Sequence, residues 1–366
     1  MIIVSISFIA IISLIAIYFI KHPLFGKAPF GERLESIKKS PQFKDGKFQN
    51  THFTPPLTKG YSMLGILYQQ LFGSHPHKRP VNEIPSIKVD LKNLNPTDNI
   101  FVWFGHSSYF TQIEGKKFLI DPVFSGNASP IPGSVKAFKG SNNYQVSDLP
   151  DIDYLLITHD HYDHLDYKTI LELKSKVRTI ICGLGVGSHF EYWGYDPHNI
   201  FEKDWNETVF LSDNIKIHTT PSRHFSGRGF IRNNTLWVSF VLETPNSKIF
   251  LGGDSGYDTH FEEIGKKHGP FDLAIIENGQ YNLAWEAIHL LPEQFVKAAS
   301  ELYAKKVIPV HSSKFALAMH RWDEPLNEVF TSYENGEFNF KLATPKIGEK
   351  VEINNPNQVF SQWWRK

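Results

Sequence analysis

The chain has 366 residues, which is long enough to bury a large core. Because 41% of its residues are hydrophobic and 21% are charged, its composition argues against wholesale disorder. Lys and Arg total 38, as do Asp and Glu, and this zero formal charge argues against a nucleic-acid partner, because binding phosphate backbones favours a basic surplus. The single cysteine, Cys182, excludes an internal disulfide and a thiolate cluster. Any metal ion would therefore be bound by His, Asp and Glu.

Residues 1–20, "MIIVSISFIAIISLIAIYFI", contain no charged side chain. As a helix they would reach about 30 Å, the thickness of a bilayer's hydrocarbon core. A cleaved signal peptide would begin with basic residues and end at small ones, and neither feature is present, so we predict an uncleaved transmembrane anchor. Five basic residues follow it, which places the remainder of the chain on the cytoplasmic side by the positive-inside tendency. They are Lys21, Lys27, Arg33, Lys38 and Lys39.

Residues 21–85 are rich in Pro, Lys and polar residues and are predicted to form a linker and N-terminal extension. Within them, residues 62–73, "SMLGILYQQLFG", have apolar side chains at helical spacing. This short helix either packs on the main domain or presents a second apolar surface near the membrane.

Residues 86–366 are predicted to form one domain in which short β runs alternate with turn signals. Helical patterns appear at 166–176 and at 292–304, the second with Pro292 at its start. Strands outnumber helices, which predicts an α+β fold of two packed sheets with helices outside, not a doubly wound sheet. Ten strands are predicted, in "NIFVWFG", "SYFTQIEG", "KKFLIDPVF", "DYLLITH", "RTIICGLG", "IKIHTTPS", "TLWVSFVLET", "KIFLGGDSG", "FDLAIIENG" and "KKVIPVHSS".

Four of these runs end in side chains of the types that can bind metals. "DYLLIT" is followed by His159, His161, Asp163 and His164, with Asp160 interpreted as a spacer. Three later runs deliver His224, Asp254 and His311. One such histidine is more often structural than a ligand, but four ligand-bearing strand ends in one chain favour a metal site.

The number of candidate ligands indicates two metal ions. A catalytic zinc ion takes three protein ligands and a water molecule, so five histidines and two aspartates are too many for one ion. They suit two ions that share a bridging carboxylate and a bridging hydroxide or water. The chemistry indicated is metal-assisted hydrolysis.

The His-x-His-x-Asp-His run at 159–164, with the three later ligands, resembles the metallo-β-lactamase fold superfamily over about residues 86 to 345. The resemblance implies a four-layer αββα sandwich with the metals at one sheet edge, here with the N-terminal transmembrane helix added. "DHLD", "VWFGHSSYFTQIEGKKFLIDPVFS", "PSRHFSGRG" and "LWVSFVLET" look like the N-acylphosphatidylethanolamine-hydrolysing phospholipase D group, in a bacterial-type member. An inner bacterial membrane is the location that this implies.

The resemblance also implies a role for each ligand and for the residues around them. His159, His161 and His224 would hold one Zn²⁺ ion, Asp163, His164 and His311 the other, and Asp254 would bridge them, with Asp163 alternatively an orienter of the hydroxide. His289 is either a group beside the substrate, as general acid or phosphate orienter, or a surface histidine that caps a helix. Supporting or substrate-facing positions are His106, Asp121, Gln280 and Tyr281.

Together these patterns predict a membrane-anchored di-zinc phosphodiesterase that hydrolyses N-acylphosphatidylethanolamine to N-acylethanolamine and phosphatidic acid. Its predicted partners are a phospholipid and the membrane. The sequence does not distinguish a monomer from an oligomer. The alternatives are a lactonase or amidase for a small polar substrate, a non-catalytic membrane-tethered metal-binding protein, and a nuclease, which the zero net charge disfavours.

Overall fold

A computed structural model describes residues 21–229 and 231–365, which form two seven-stranded mixed sheets and a small hairpin. The strands are β1 (Phe43–Lys44), β2 (Lys47–Phe48), β3 (Ile100–Trp103), β4 (Tyr109–Ile113), β5 (Lys116–Ile120), β6 (Ile152–Ile157), β7 (Val177–Gly183), β8 (Ile200–Lys203), β9 (Thr208–Phe210), β10 (Lys216–Thr220), β11 (Ser239–Glu243), β12 (Lys248–Leu251), β13 (Leu273–Glu277), β14 (Lys306–Val310), β15 (Lys341–Leu342) and β16 (Lys350–Glu352).

The α-helices are α1 (Gly31–Ile37), α2 (Met63–Phe72), α3 (Tyr167–Leu173), α4 (Gly187–Tyr192), α5 (His260–His268), α6 (Pro292–Glu301) and α7 (Glu324–Glu334). The predicted helices at 62–73, 166–176 and 292–304 correspond to α2, α3 and α6. Helix α6 begins at Pro292, whose missing N–H is no loss in the first turn, and the Gln294 side chain accepts a hydrogen bond from the Leu291 N–H.

The strand directions place most strand ends that carry ligands at one edge of the sandwich. The first sheet has the order β16-β3-β4-β5-β6-β7-β8, antiparallel up to β5 and parallel from β5 to β8. The second has the order β15-β14-β13-β12-β11-β10-β9, parallel from β15 to β12 and antiparallel from there. Strands β3, β5 and β6 therefore run in one direction in their sheet, as β10, β12, β13 and β14 do in theirs.

Three apolar layers hold the molecule together, and they confirm the predicted packing of two sheets with helices outside. Alternate side chains of both sheets, such as Phe118 and Phe240, meet in the central layer. The opposite face of the first sheet packs on α3 and α4 through residues such as Ile170, and that of the second packs on α5, α6 and α7 through residues such as Phe295. The order of layers is αββα.

The predicted membrane anchor, residues 1–20, lies outside the described residues. Across residues 21–229 and 231–365, no helix combines the length and apolarity that crossing a bilayer requires.

The ten predicted strands are all present, and the pattern missed the shortest elements. Strands β1, β2, β9, β15 and β16 have two or three residues each, too few to establish an alternating pattern, and β8 is an edge strand of four. Helices α1, α4, α5 and α7 were also missed, because they are short or strongly polar.

The first residue of α5 gives a test of how burial affects stability. Burial lowers the pKa of His260 from 6.5 to about 3, so the folded chain holds this side chain neutral. On unfolding it takes up a proton below pH 6.5, so its contribution to stability is complete above that pH and is lost as the pH falls.

We therefore expect His260→Gln to flatten the decrease in the free energy of unfolding below pH 6.5, by up to about 1.4 kcal/mol per pH unit. Urea denaturation at a series of pH values measures it. His198→Gln makes the same change at an exposed position and should follow the wild-type curve. Equal curves for the two variants would contradict the expectation.

Candidate metal centre

The loops after β6, β10, β12 and β14 bring all seven candidate ligands together at one edge of the sandwich. Their ligand atoms fall into overlapping groups in which all atoms lie within 4.8 Å of one another. A glycine makes this approach possible, because a Cβ at Gly253 would lie 2.6 Å from the Val238 carbonyl oxygen and 2.9 Å from Thr158 Cβ. Only glycine lets the end of β12 pass so near the end of β6, and Asp254 follows directly.

Three histidines form the first group. His161 Nδ1 lies 2.9 Å from His159 Nε2 and 3.3 Å from His224 Nε2. The other ring nitrogens of these partners face outward, where His224 Nδ1 donates to the Ile288 carbonyl at 2.9 Å and His159 Nδ1 contacts Thr158 Oγ1 at 3.0 Å. A carbonyl can only accept, so His224 presents the lone pair of Nε2 to the centre.

The second group contains the acids. His164 Nε2 lies 3.5 Å from Asp163 Oδ2 and 3.2 Å from Asp254 Oδ2, and His311 Nδ1 lies 3.1 Å from Asp254 Oδ1. Asp254 Oδ2 is also 3.9 Å from His159 Nε2 and 3.8 Å from His224 Nε2. Asp254 therefore lies between the two groups, in the position that a bridging carboxylate requires.

The chemistry of these donors fits metal ions. Burial lowers the pKa of His159 and of His224 well below the ordinary value, so both rings are neutral and have a free lone pair. Burial also acts to lower the pKa of His164, but the charges of Asp254 and Asp163 raise it well above the ordinary value. His164 Nε2 and Asp254 Oδ1 are buried and form no hydrogen bond of good geometry among the described residues, although each lies near an oppositely charged side chain. Neutral imidazoles, buried carboxylates and ligand atoms without such a hydrogen bond together suit a cation such as Zn²⁺.

Asp121 and His106 support the candidate ligands through hydrogen bonds. Asp121 accepts hydrogen bonds from the Thr158 N–H at 2.9 Å, the Thr158 hydroxyl at 2.6 Å and His164 Nδ1 at 2.8 Å. His106 Nε2 donates to Asp163 Oδ2 at 2.8 Å. Both residues have positive φ, 42° and 54°, as does His311 at 67°. Such backbone strain in residues other than glycine is characteristic of functional sites.

Asp160 is more than the spacer that the sequence suggested. It is buried, with its Oδ1 accepting from the Gly227 N–H at 2.6 Å and its Oδ2 lying 3.3 Å from His189 Nε2. Arg228, also buried, donates to the backbone carbonyls of Asp160 and Leu165 at 2.8 and 2.7 Å. Asp160 therefore joins the loop that carries His161 to the loop that carries His224. The sequence pattern does not reveal this role of Asp160, because its partners are backbone groups and residues far away in the chain.

The N-terminal extension supplies a second support that the sequence did not reveal. Asn50 donates from Nδ2 to the His224 carbonyl at 2.8 Å and accepts at Oδ1 from the His224 N–H at 3.1 Å. The same Oδ1 accepts from Trp237 Nε1 at 2.9 Å. Both backbone groups of a candidate ligand are thus held by one side chain from a distant part of the chain.

Of the residues predicted to face the substrate, His289 and Gln280 line a cavity at the candidate metal centre and Tyr281 does not. His289 is buried, not on the surface, and its Nδ1 lies 3.2 Å from Glu277 Oε2. Burial raises the pKa of Glu277 to about 7, and burial acts to lower the pKa of His289, but the charge of Glu277 raises it overall. Gln280 lines the cavity and supports the His311 loop, its Oε1 accepting from the Leu317 and Ala318 N–H groups at 2.9 Å.

Tyr281 does not line the cavity, contrary to the prediction that it faces the substrate. Its hydroxyl donates to Glu324 Oε1 at 3.3 Å, and its ring packs against His320. The residue before it, Gln280, has a left-handed φ of 55°, so the chain does not continue here as a strand.

A cavity of about 1020 Å³ opens over the candidate metal centre. One wall is apolar and comes from the N-terminal extension and the loops, with Leu57, Met63, Leu64, Ile66, Leu67, Ile231, Trp285 and Leu317. Its floor includes His161, Asp163, His224, Asp254, His289 and His311. A ligand with an apolar chain and a polar group fits this division.

Comparison with known proteins agrees with the fold and the site. Residues 116–312, more than half of the chain, match the Beta-lactamase superfamily domain. An uncharacterized protein of Mycobacterium bovis is 35% identical over 332 residues, which cover 90% of this chain and 88% of that protein. N-acyl-phosphatidylethanolamine-hydrolyzing phospholipase D 1 of Caenorhabditis elegans is 30% identical over 284 residues, 72% of this chain and 78% of that protein.

A solved structure, that of a possible metal-dependent hydrolase from Veillonella parvula, shares the fold with a TM-score of 0.55 at 15% identity, over 70% of this chain and 99% of that one. The chain belongs to the beta-lactamase superfamily. With its His/Asp site, it is a metal-dependent hydrolase of the metallo-β-lactamase fold.

The support from Asn50 predicts an effect on metal binding. Asn50→Ala removes both backbone contacts to His224, and we expect metal affinity to fall by about 10- to 100-fold, as is usual when a supporting hydrogen bond is lost. Competition with a chromogenic chelator measures it. Asn93→Ala, which removes an exposed side chain bonded only to Asp90, should leave the affinity unchanged. Equal affinities in the two variants would show that the His224 loop needs no support.

Proposed function

We propose that this hydrolase is a phosphodiesterase of the phospholipase D type that acts on N-acylphosphatidylethanolamine. The observation that carries the proposal is a cavity of about 1020 Å³ with an apolar wall, lined also by five of the seven candidate ligands. A lipid needs such a wall for its acyl chains, with the phosphate at the polar floor. The similarity to an enzyme named for this reaction, over 72% of the chain, supports the same substrate.

The centre has the ligands for two zinc ions. His159, His161 and His224 would hold one, and Asp163, His164 and His311 the other, with Asp254 between them. Two zinc ions, when bound, lower the pKa of water and neutralise the charge that develops on a phosphate. In the reaction, water loses one proton as its oxygen bonds to phosphorus, the P–O bond to the amide-bearing alcohol breaks, and the leaving alkoxide takes up a proton. The products are phosphatidic acid and N-acylethanolamine.

His289 is suited to supply that proton. Its Nδ1 is engaged with Glu277, which leaves Nε2 as the ring nitrogen available to the leaving oxygen. The ring lies beside the centre, with centroids 5.1 Å from His224 and 5.2 Å from His311. Glu277 accepts from the Leu290 N–H at 2.8 Å, and it thereby fixes the segment that carries His289.

The rim of the cavity is suited to a lipid surface. On α2, Met63, Leu64 and Leu67 line the cavity while 63%, 80% and 49% of their side chains stay exposed. Tyr68, Leu71 and Phe72 extend the same apolar surface and are also exposed. We propose that this surface contacts the membrane from which the substrate is drawn, and the predicted anchor at residues 1–20 would keep the chain there.

A lactonase or amidase would use the same centre on a carbonyl group. The volume and the apolar wall of the cavity favour a lipid over a small polar substrate. A non-catalytic metal-binding protein would need neither the buried Glu277 and His289 pair nor a cavity over the metals.

The test is hydrolysis by the purified full chain, loaded with zinc, of N-acylphosphatidylethanolamine, plain phosphatidylethanolamine and a lactone panel in mixed micelles. We expect N-acylethanolamine release, seen by mass spectrometry, and two zinc ions per chain. His161→Ala should lower the rate by at least about a hundredfold, more than the loss of an outer hydrogen bond costs. His198→Ala, the same change at an exposed position, should match wild type. Turnover of lactones alone would overturn the proposal and leave the fold assignment intact.

A further inference from the structure

Two basic side chains at the cavity of the metal centre have no acidic partner. Lys47, on β2, and Arg232, on the loop after His224, both line the cavity and are both exposed. Neither forms an ion pair with any side chain of residues 21–229 or 231–365. The acids that line this cavity, Asp163 and Asp254, are turned to the candidate ligands. The exposed part of the cavity lining therefore carries two positive charges that no acid among the described residues balances.

Backbone contacts keep these two basic residues on the same side of the cavity. The Phe48 N–H donates to the Asn233 carbonyl at 2.8 Å, and Asn233 Nδ2 donates to the Phe48 carbonyl at 3.2 Å. Lys47 and Arg232 are the chain neighbours of this pair. The Asn233 N–H also donates to the Ser226 carbonyl at 3.0 Å, which closes the loop that carries Arg232.

Arg232 is separated from the metal ligands by a single ring. Its guanidinium carbon lies 5.0 Å from the centroid of Phe225, a cation–π contact. The Phe225 centroid lies 4.5 Å from that of His161 and 4.8 Å from that of His224. Arg232 and the candidate ligands His161 and His224 therefore contact the same ring, and all of these residues line one cavity.

We propose that Lys47 and Arg232 form a subsite for a lipid phosphate, and that it retains the phosphomonoester product. This inference rests on the proposed function, because hydrolysis converts a phosphodiester with one charge into a phosphomonoester with about −1.5 to −2 at neutral pH. An arginine fork and a lysine bind the more highly charged group better. The same chemistry is offered by the headgroup phosphate of a neighbouring anionic phospholipid, and the test separates the two sources.

The test is isothermal titration of the zinc-loaded full chain with monomeric short-chain phosphatidic acid. We expect the double variant Lys47→Gln/Arg232→Gln to bind it about tenfold more weakly, because two charge-assisted contacts are lost. Lys39→Gln/Lys44→Gln removes the same charge, and Lys44 pairs with Lys47 across the hairpin, but neither residue lines the cavity. This control should bind as wild type does. Zinc content and circular dichroism of both variants verify that the fold and the centre are intact.

A second arm uses vesicles of phosphatidylcholine and phosphatidylglycerol. One outcome is that the Lys47→Gln/Arg232→Gln variant loses vesicle binding while it keeps its affinity for monomeric phosphatidic acid. In that case the subsite binds a neighbouring anionic lipid, and the proposal that it retains the product is wrong. If the two variants do not differ in either arm, there is no subsite. Hydrolysis of N-acylphosphatidylethanolamine is assayed separately. If the enzyme does not hydrolyse this lipid but the two variants differ tenfold in phosphatidic acid binding, only the proposed function is wrong. If it hydrolyses the lipid and the two variants bind phosphatidic acid equally, only the subsite is wrong.

Discussion

The candidate metal centre depends on three carboxylates that are gathered among histidine rings at one edge of the sandwich. Asp121 and Asp254 are buried and Asp163 is half-buried, and each has a carboxylate oxygen 2.8 to 3.2 Å from a histidine nitrogen. An uncompensated buried carboxylate is costly, so these acids favour bound metal or a protonated imidazole. The strained backbone at Asp121 and the close passage at Gly253 are both explained by the need to bring these groups together.

The N-terminal extension is part of the site, and not only a connection to it. Asn50 holds His224 by both backbone groups, and the Arg228 side chain, which supports the ligand loop, also donates to the Leu24 carbonyl at 2.7 Å. Helix α2 provides the apolar wall of the cavity. Leu24 lies four residues after the end of the predicted anchor at residues 1–20, so the supports of the metal loops lie close in sequence to that segment.

The sequence predicts the ligands and the sheets because both have local signatures. The His-x-His-x-Asp-His run and ten apolar runs are visible without a structure, and each ligand follows the end of a strand. Asn50, Asp160 and Arg228 have no such signature, because their partners lie far away in the chain and are mostly backbone groups. Tyr281 contacts Glu324 and not the cavity, and this distant partner has no signature in the strand pattern that placed it.

Hydrolysis in ¹⁸O-labelled water tests the central claim, that the centre directs water to phosphorus, most directly. Mass spectrometry of both products from N-acylphosphatidylethanolamine locates the label. Attack at phosphorus places ¹⁸O in phosphatidic acid and leaves N-acylethanolamine unlabelled. Label in the alcohol of N-acylethanolamine would mean cleavage of the C–O bond, and label in a free fatty acid would mean attack on a carbonyl group. Either of these results would contradict the account.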